Sequence, residues 1–149
     1  MKRFRFSLET VLSYKQQIQD ALQGEHAEAL AKVRAQEAVL DTLLHQYRAY
    51  DEEYRVRCGT GLLMTEVLIY QSGLRAMERE IEQASQHLKE LKQQEEKKRE
   101  AVIEAKRETS SIEKLKEKKL QEYQKAVGKS EEVFIEEFVS TGRVREAAQ

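Results

Sequence analysis

The sequence has 149 residues but no proline, no tryptophan and only one cysteine. Without proline, nothing removes the backbone donor that a helix interior needs. One cysteine excludes an internal disulfide, which fits a reducing compartment such as the cytoplasm. No stretch approaches the ~20 apolar residues of a membrane span, and no apolar segment follows the basic N-terminus, so a secretory signal is not expected. These absences favour long, uninterrupted helices in a cytoplasmic protein.

Charged residues make up 36 % of the chain, hydrophobic residues 40 %, and the net charge is −1. Such a composition is typical of long helices or a coiled coil, and the near-zero charge argues against a nucleic-acid partner. There is no phosphate-binding loop and no Ser-His-Asp arrangement. Two of the three histidines have one carboxylate at helical spacing, whereas zinc requires three or four ligands. We therefore predict no enzymatic activity, cofactor, metal or small-molecule substrate.

Gly59 and Gly61 are the only closely spaced glycines in the first 127 residues. Glycine costs about 1 kcal/mol against alanine inside a helix and readily adopts a positive φ. The pair predicts a bend between two long helices, with helix 1 over about 8–56, the turn over 57–64 and helix 2 over about 65–127. The expected fold is all-α and single-domain: a long antiparallel two-helix coiled-coil hairpin.

Seam residues recur at spacings of three and four on both sides of this bend, as a coiled coil requires. The predicted seam of helix 1 is Leu8, Val11, Lys15, Ile18, Leu22, His26, Ala29, Val33, Gln36, Leu40, Leu43, Tyr47, Tyr50 and Tyr54. That of helix 2 begins Leu74, Met77, Ile81, Ala84, Leu88, Leu91, Glu95, Lys98, Val102, Ala105, Thr109 and Ile112. Folding at the bend sets Glu95 and Lys98 opposite residues 23–27, which include His26. This polar layer is interpreted as a partly hydrated layer that fixes register, and the alternative is a functional weak point that lets the helix pair flex.

The chain after Gly128 predicts a separate element. The glycine is a helix stop, Ser130 is an N-cap with two acidic residues after it, and a short amphipathic helix spans about 131–140. Residues 143–149 are expected to be disordered. Because helix 2 is longer than helix 1, its part after about Leu115 is expected to overhang without a partner.

Two apolar features exceed what one seam can bury. The first lies near the bend. It is interpreted either as plain packing of the hairpin tip or as a partner-binding surface, since tyrosine-rich patches are common at interfaces. Its members are Tyr47, Tyr50, Tyr54, Tyr70, Leu74 and Met77, with Leu62, Leu63, Met64, Val67, Leu68 and Ile69 nearby. The second is at the other end, where the overhang calls for a third helix, a dimer or a ring-shaped partner. Its members are Phe4, Phe6, Leu115, Leu120, Tyr123 and Val127.

Three stretches resemble the flagellar export protein FliJ family. They are Phe4-x-Phe6-x-Leu8-x-x-Val11-Leu12, the segment Tyr70-Gln71-x-x-Leu74-x-x-Met77-Glu78-x-x-Ile81, and the Lys- and Glu-rich region from Lys97 to Lys118. The resemblance covers nearly the whole chain and includes the position of the glycine-containing turn.

The resemblance implies a cytoplasmic component of the flagellar type III export apparatus, peripheral to the cell membrane, in the setting of motility and chemotaxis. The terminal end would enter the hexameric export ATPase and promote its assembly, while the tip would contact the membrane export-gate protein and export chaperones would dock as well. Carried onto this chain, the tip surface is Leu43, Tyr47, Tyr50, Tyr54 and Met77, with Tyr70 and Leu74 beside it. Three alternatives stay open: the injectisome counterpart of the family, a generic helical scaffold or holdase-type chaperone, and membrane-surface binding through residues 2–6.

Overall fold

A computed structural model describes residues 2–148, and within them the chain forms two α-helices and no strand. Helix α1 spans Glu9–Thr60 and helix α2 spans Met64–Ala148. The prediction of an all-α fold built on two long helices is confirmed. Helix α1 begins where the carbonyl of Phe6 accepts a hydrogen bond from the amide of Glu9, at 3.2 Å. The carboxylate of Glu9 in the first turn is favoured by the helix dipole.

The turn is shorter than predicted, because only Gly61, Leu62 and Leu63 lie outside the helices. Gly61 has a φ of 95°, and no other described residue has a positive φ. Its amide donates to the carbonyl of Cys58 at 3.4 Å, closing the last turn of α1. A left-handed glycine just after a helix is a common way to end it, and it reverses the chain here within three residues.

The prediction of a separate short helix after Gly128 is wrong, because α2 continues through this glycine to Ala148. A glycine inside a helix costs only about 1 kcal/mol relative to alanine. That is too little to stop a helix flanked on both sides by Lys, Glu and Ala residues with no proline among them. The disorder expected from residue 143 is also wrong as far as Ala148, and Gln149 lies outside the described residues.

The chain divides into two compact units, and the larger one is Ala21–Ile103. In it the two helices run antiparallel on either side of the turn, since residue numbers rise along α1 as those of their partners fall along α2. Its buried apolar side chains form a thin stripe rather than a thick core, and they are Val33, Tyr70, Ala84, Leu88 and Val102.

The polar layer predicted within this unit is confirmed for His26 and Glu95 but not for Lys98. His26 Nε2 lies 2.8 Å from Glu95 Oε1, and both side chains are mostly covered. Beside them Lys98 donates to Glu25 at 3.0 Å, but from the exposed edge of the helix pair rather than from the seam. A polar pair between otherwise apolar layers penalises slipped pairings, because a slip would leave its members buried without partners.

The second unit comprises the described residues of Met1–Asp20 and Glu104–Gln149. Its buried side chains are Leu12, Ala105 and Thr109, and the Thr109 hydroxyl is satisfied by the carbonyl of Ala105 at 2.9 Å. Leu12 is 3 % exposed and Val11 41 %, so the seam runs through Leu12 and not through the predicted Val11.

Exposed ion pairs flank the start of α1 in this unit. Lys15 pairs with Glu108 and Lys116 pairs with Glu9, each at 2.8 Å. The hydrogen bond from Lys15 to Glu108 raises the pKa of the lysine, and the negative charge of the carboxylate adds to this effect. Exposed pairs contribute little stability individually, but these two agree on one antiparallel pairing of the segments.

Candidate partner-binding surfaces

Tyr70 is the centre of an aromatic cluster next to the bend. Its ring lies 5.1 Å from that of Tyr50 and 5.2 Å from that of Tyr54, in tilted arrangements. Tyr70 is only 6 % exposed, whereas Tyr50 and Tyr54 are half-buried. Aromatic pairs of this geometry add about 0.5–1.5 kcal/mol each beyond the area they bury. The cluster therefore stabilises the two helices at the point where the chain reverses.

Arg57 connects this cluster to the turn. Its guanidinium donates to the Tyr70 hydroxyl at 3.1 Å and to Glu66 at 3.2 Å, and its Cζ lies 5.7 Å from the centre of the Tyr70 ring. The Tyr70 hydroxyl in turn donates to Glu53 at 3.1 Å. The hydrogen bond to Tyr70 is the main cause of a raised Arg57 pKa. Arg57 lies on α1 and both of its side-chain hydrogen bonds go to α2, so it restricts how far the two helices can separate beside the turn.

Gly73 has a packing function at this cluster. A Cβ built on it would lie 2.7 Å from the Tyr50 hydroxyl oxygen and 2.9 Å from its Cε1. The edge of the Tyr50 ring thus rests on the α2 backbone, a contact that any other residue at position 73 would obstruct. In the sequence this glycine interrupts the apolar patch. In the structure its lack of a side chain leaves room for the ring of Tyr50.

The seven predicted tip residues are buried to different depths, and aromatic contacts join three of them, Tyr50, Tyr54 and Tyr70. Tyr70 is buried, and the other six are half-buried: Leu43, Tyr47, Tyr50, Tyr54, Leu74 and Met77. Tyr47 donates to Glu78 at 2.9 Å, and this hydrogen bond is the main cause of its raised pKa. Tyr50 and Tyr54 pack on Tyr70 across the two helices, and the six half-buried residues keep part of their surface free.

The most exposed apolar side chains of the tip lie at the bend itself. Leu63, Met64, Leu68 and Ile69 are between 58 % and 71 % exposed. The sequence shows more apolar residues near the bend than one seam can bury, but the spacing along α2 does not show which of them face outward. A group of exposed large side chains at one end of a unit is a candidate docking surface.

In the smaller unit, an aromatic contact joins the N-terminal segment to α2. The Phe4 ring lies 5.6 Å from the ring of Tyr123, whose hydroxyl donates to the backbone carbonyl of Lys2 at 2.7 Å. Phe4 and Phe6 are half-buried and line a shallow concavity with Arg3, Arg5, Glu9 and Lys116. The N-terminal segment therefore covers α2 well beyond Leu115, where the overhang was expected to begin.

The other residues predicted for this end lie along the same helix. Leu120 and Val127 are half-buried, and Leu115 is exposed at 37 %. From Lys129 to Ala148 every side chain is exposed, so the uncovered part of α2 starts after Gly128. The structure thus assembles Phe4, Phe6 and Tyr123 on one surface and leaves Leu115 at its edge.

A comparison with protein-family models identifies the chain. The model described as "Flagellar FliJ protein" matches residues 4–146. The chain belongs to the FliJ family. No curated protein sequence and no solved structure matches it.

Membership of the FliJ family gives the chain a role in flagellum biogenesis and flagellar protein export, in association with components of the export apparatus. The resemblance read from the sequence is confirmed, and the family is a non-catalytic export component. None of the helices in residues 2–148 has a stretch long and apolar enough to cross a membrane. Within the same range, histidine, cysteine and acidic side chains nowhere group in threes as a metal site would require.

Proposed function

We propose that this FliJ-family chain is a non-enzymatic stalk, built as a two-helix coiled-coil hairpin, that promotes assembly and activity of the hexameric flagellar export ATPase. It links this enzyme to the membrane export-gate protein and to export chaperones, at the cytoplasmic face of the cell membrane. The observation that carries the proposal is the aromatic surface of the smaller unit, where Phe4 and Tyr123 join the N-terminal segment to α2.

This surface suits an ATPase ring for two reasons. Its aromatic side chains are held in place by the Phe4–Tyr123 contact, so little conformational entropy remains to be lost on binding. It also combines half-buried phenylalanines with the exposed positive charges of Arg3 and Arg5. Interfaces are enriched in aromatic residues and arginine. The expected contact residues are Phe4, Phe6, Leu115, Leu120, Tyr123 and Val127.

The proposed mechanism is thermodynamic. A stalk that binds the assembled ring more tightly than free subunits shifts the equilibrium toward the ring by mass action. Such activation needs no catalytic group on the stalk itself. The rate of ATP hydrolysis should rise with stalk concentration and then saturate when every ring is occupied.

The tyrosine-rich tip is the surface we assign to the export gate and chaperones. Six of its seven residues keep part of their surface free, and two of these six, Tyr50 and Tyr54, pack against the buried seventh, Tyr70. A rigid support with partly exposed aromatic residues is the form that binding hot spots take. The exposed bend residues Leu63, Met64, Leu68 and Ile69 extend this surface.

The terminal surface is tested by the double variant Phe4→Ala with Phe6→Ala. We expect loss of ring-sized complexes with the export ATPase and loss of stimulated hydrolysis. The matched control is Tyr14→Ala, because Tyr14 is an aromatic residue of the same unit that is 60 % exposed and lies outside the surface. Equal binding by wild type and double variant would contradict the assignment.

The tip is tested separately against the cytoplasmic part of the export gate. Tyr47→Ala with Met77→Ala should weaken gate binding and leave ATPase stimulation intact. Val39→Ala is the control, since Val39 lies on α1 with 49 % exposure and is not part of the tip. Binding of unrelated unfolded proteins without ATPase binding would instead favour a general chaperone, and stimulation of an injectisome ATPase alone would favour the injectisome system.

A further inference from the structure

The last 20 described residues of α2, from Lys129 to Ala148, are all exposed, although they include several large apolar side chains. Phe134 is 68 % exposed, Ile135 59 % and Phe138 73 %. An isolated helix of this kind is marginal in water, but this one continues a helix that is already paired. It is therefore preformed and has an apolar face without a partner.

That face has a regular stripe. Residues at alternating spacings of four and three share one side of a helix, and the stripe so defined is Val127, Glu131, Phe134, Phe138, Thr141 and Arg145. Two shallow grooves lie along it, and Phe134 lines both. Grooves on either side of a projecting aromatic ring are what a second helix needs in order to interlock its own side chains.

The charges of the stripe are of opposite sign at its two ends. Glu131 lies near the start of the stripe and Arg145 at its end, and both residues belong to the stripe itself. A parallel, in-register copy would set each of these charges against itself, which is destabilising. An antiparallel copy would bring each charge close to the opposite one.

We propose that this face binds a second copy of the same chain in antiparallel orientation, with Phe134 of one copy packed against Phe138 of the other. In that register Ile135 meets Ile135 across the twofold axis. Gly142 lies beside Gly128 of the second copy, and both glycines have open space around their Cα, so the helices can approach closely. Glu131 and Arg145 of the second copy are then one turn, or ~6 Å, apart along the axis, within reach of an arginine side chain.

The area sets the expected strength. Four phenylalanines that each bury about 150–250 Å², together with the adjacent valines and isoleucines, reach only about the 1,200 Å² at which stable interfaces begin. The dimer should therefore be weak and dependent on concentration. The inference goes beyond the proposed stalk function and does not depend on it, because no export component is involved.

The first test is sedimentation equilibrium of the full chain over a wide concentration range. We expect the average mass to rise from monomer toward dimer, and Phe134→Ser with Phe138→Ser to weaken association at least about tenfold. Both side chains are exposed in the monomer, so helix content should not change. The matched control is Val133→Ser with Val139→Ser, on other faces of the same helix. A monomer at every concentration, or a dimer that tolerates the phenylalanine changes, would overturn the proposal.

The second test addresses orientation. Glu131→Arg and Arg145→Glu should each weaken the dimer, and the two together should restore it, because the pair is re-formed with its signs exchanged. In a Cys58→Ser background, Ile135→Cys should form a disulfide-linked dimer on oxidation and Val133→Cys should not. Failure of the double charge exchange to restore association, or cross-linking through position 133 instead, would refute the antiparallel register.

Discussion

Replacing Gly73 by alanine tests whether the contact between Tyr50 and the α2 backbone is a constraint or an accident. In an open helix position, alanine stabilises by about 1 kcal/mol relative to glycine. At Gly73 the added Cβ would lie 2.7 Å from the Tyr50 hydroxyl oxygen, 2.9 Å from Cε1 and 3.0 Å from Cζ. The ring cannot swing away freely, because it also packs against Tyr70.

Overpacking of this kind costs about 1–3 kcal/mol, so Gly73→Ala should be neutral or destabilise by up to about 2 kcal/mol. Gly24→Ala is the matched control: it lies in the same unit, in a helix, with nothing within 4 Å of its added Cβ, and it should stabilise by about 1 kcal/mol. In a chain of this size each kcal/mol corresponds to roughly 2–4 °C in Tm.

The assay is urea and thermal unfolding followed by circular dichroism. The two alanine variants should differ by at least about 1 kcal/mol, and a smaller side chain in Tyr50→Leu should remove that difference in a double-mutant cycle. If Gly73→Ala stabilises as much as Gly24→Ala, the Tyr50 ring is free to move and the packing account of the tip is refuted.

Three further results are expected. Replacing both His26 and Glu95 by leucine should raise the stability of the larger unit in urea unfolding. Glu95→Leu alone should raise it less, because His26 then loses its partner at 2.8 Å. Equal gains in stability would show that the pair is not coupled. The Tyr47 hydroxyl donates a hydrogen bond to Glu78, and this bond raises the pKa of Tyr47. The bond's contribution to folding stability is therefore full below about pH 10 and is lost as the pH rises through the raised pKa. Wild type should lose stability relative to Tyr47→Phe above about pH 10, and parallel curves of stability against pH would contradict this. Leu68→Ser should change stability by no more than about 0.5 kcal/mol, because the side chain is 58 % exposed, while weakening gate binding in a pull-down; unchanged binding would remove Leu68 from the tip surface.

Much of the pairing could be predicted from the sequence, because a turn and a period together define which residues meet. Placing the bend near Gly61 was enough to set His26 against Glu95. The period alone could not choose between Val11 and Leu12, since both are apolar and either continues a three-four pattern. Packing decided for Leu12, which is 3 % exposed.

The terminal end was harder to predict because it mixes two kinds of backbone. Extended chain advances about 3.3 Å per residue and a helix 1.5 Å. The few non-helical residues before Glu9 therefore cover about twice as many residues of α2, which is why Phe4 reaches Tyr123. The helix stop predicted at Gly128 was wrong for another reason. The cost of one glycine inside a helix is small, so the helix-forming residues around it decide whether the helix ends there.

The depth of the tip residues also depends on tertiary structure. The sequence placed Tyr50, Tyr54 and Tyr70 on facing sides of the bend, but only the packing shows that Tyr70 is enclosed and that Gly73 admits the ring of Tyr50. The turn between α1 and α2 brings these tyrosines together, because they lie within a few helical turns of it on either side. Which of them keeps a free surface for a partner is decided by rotamers and neighbours that a periodic pattern does not contain.

If the chain acts as the proposed stalk, the terminal aromatic surface drives assembly of the export ATPase. The most direct measurement is the rate of ATP hydrolysis and the particle mass of the purified export ATPase, titrated with wild-type chain, with Phe4→Ala and Phe6→Ala combined, and with Tyr14→Ala. Hexamer-sized particles and raised hydrolysis with wild type and Tyr14→Ala, but not with the double variant, are the predicted result. Stimulation by all three, or by none, would contradict the claim.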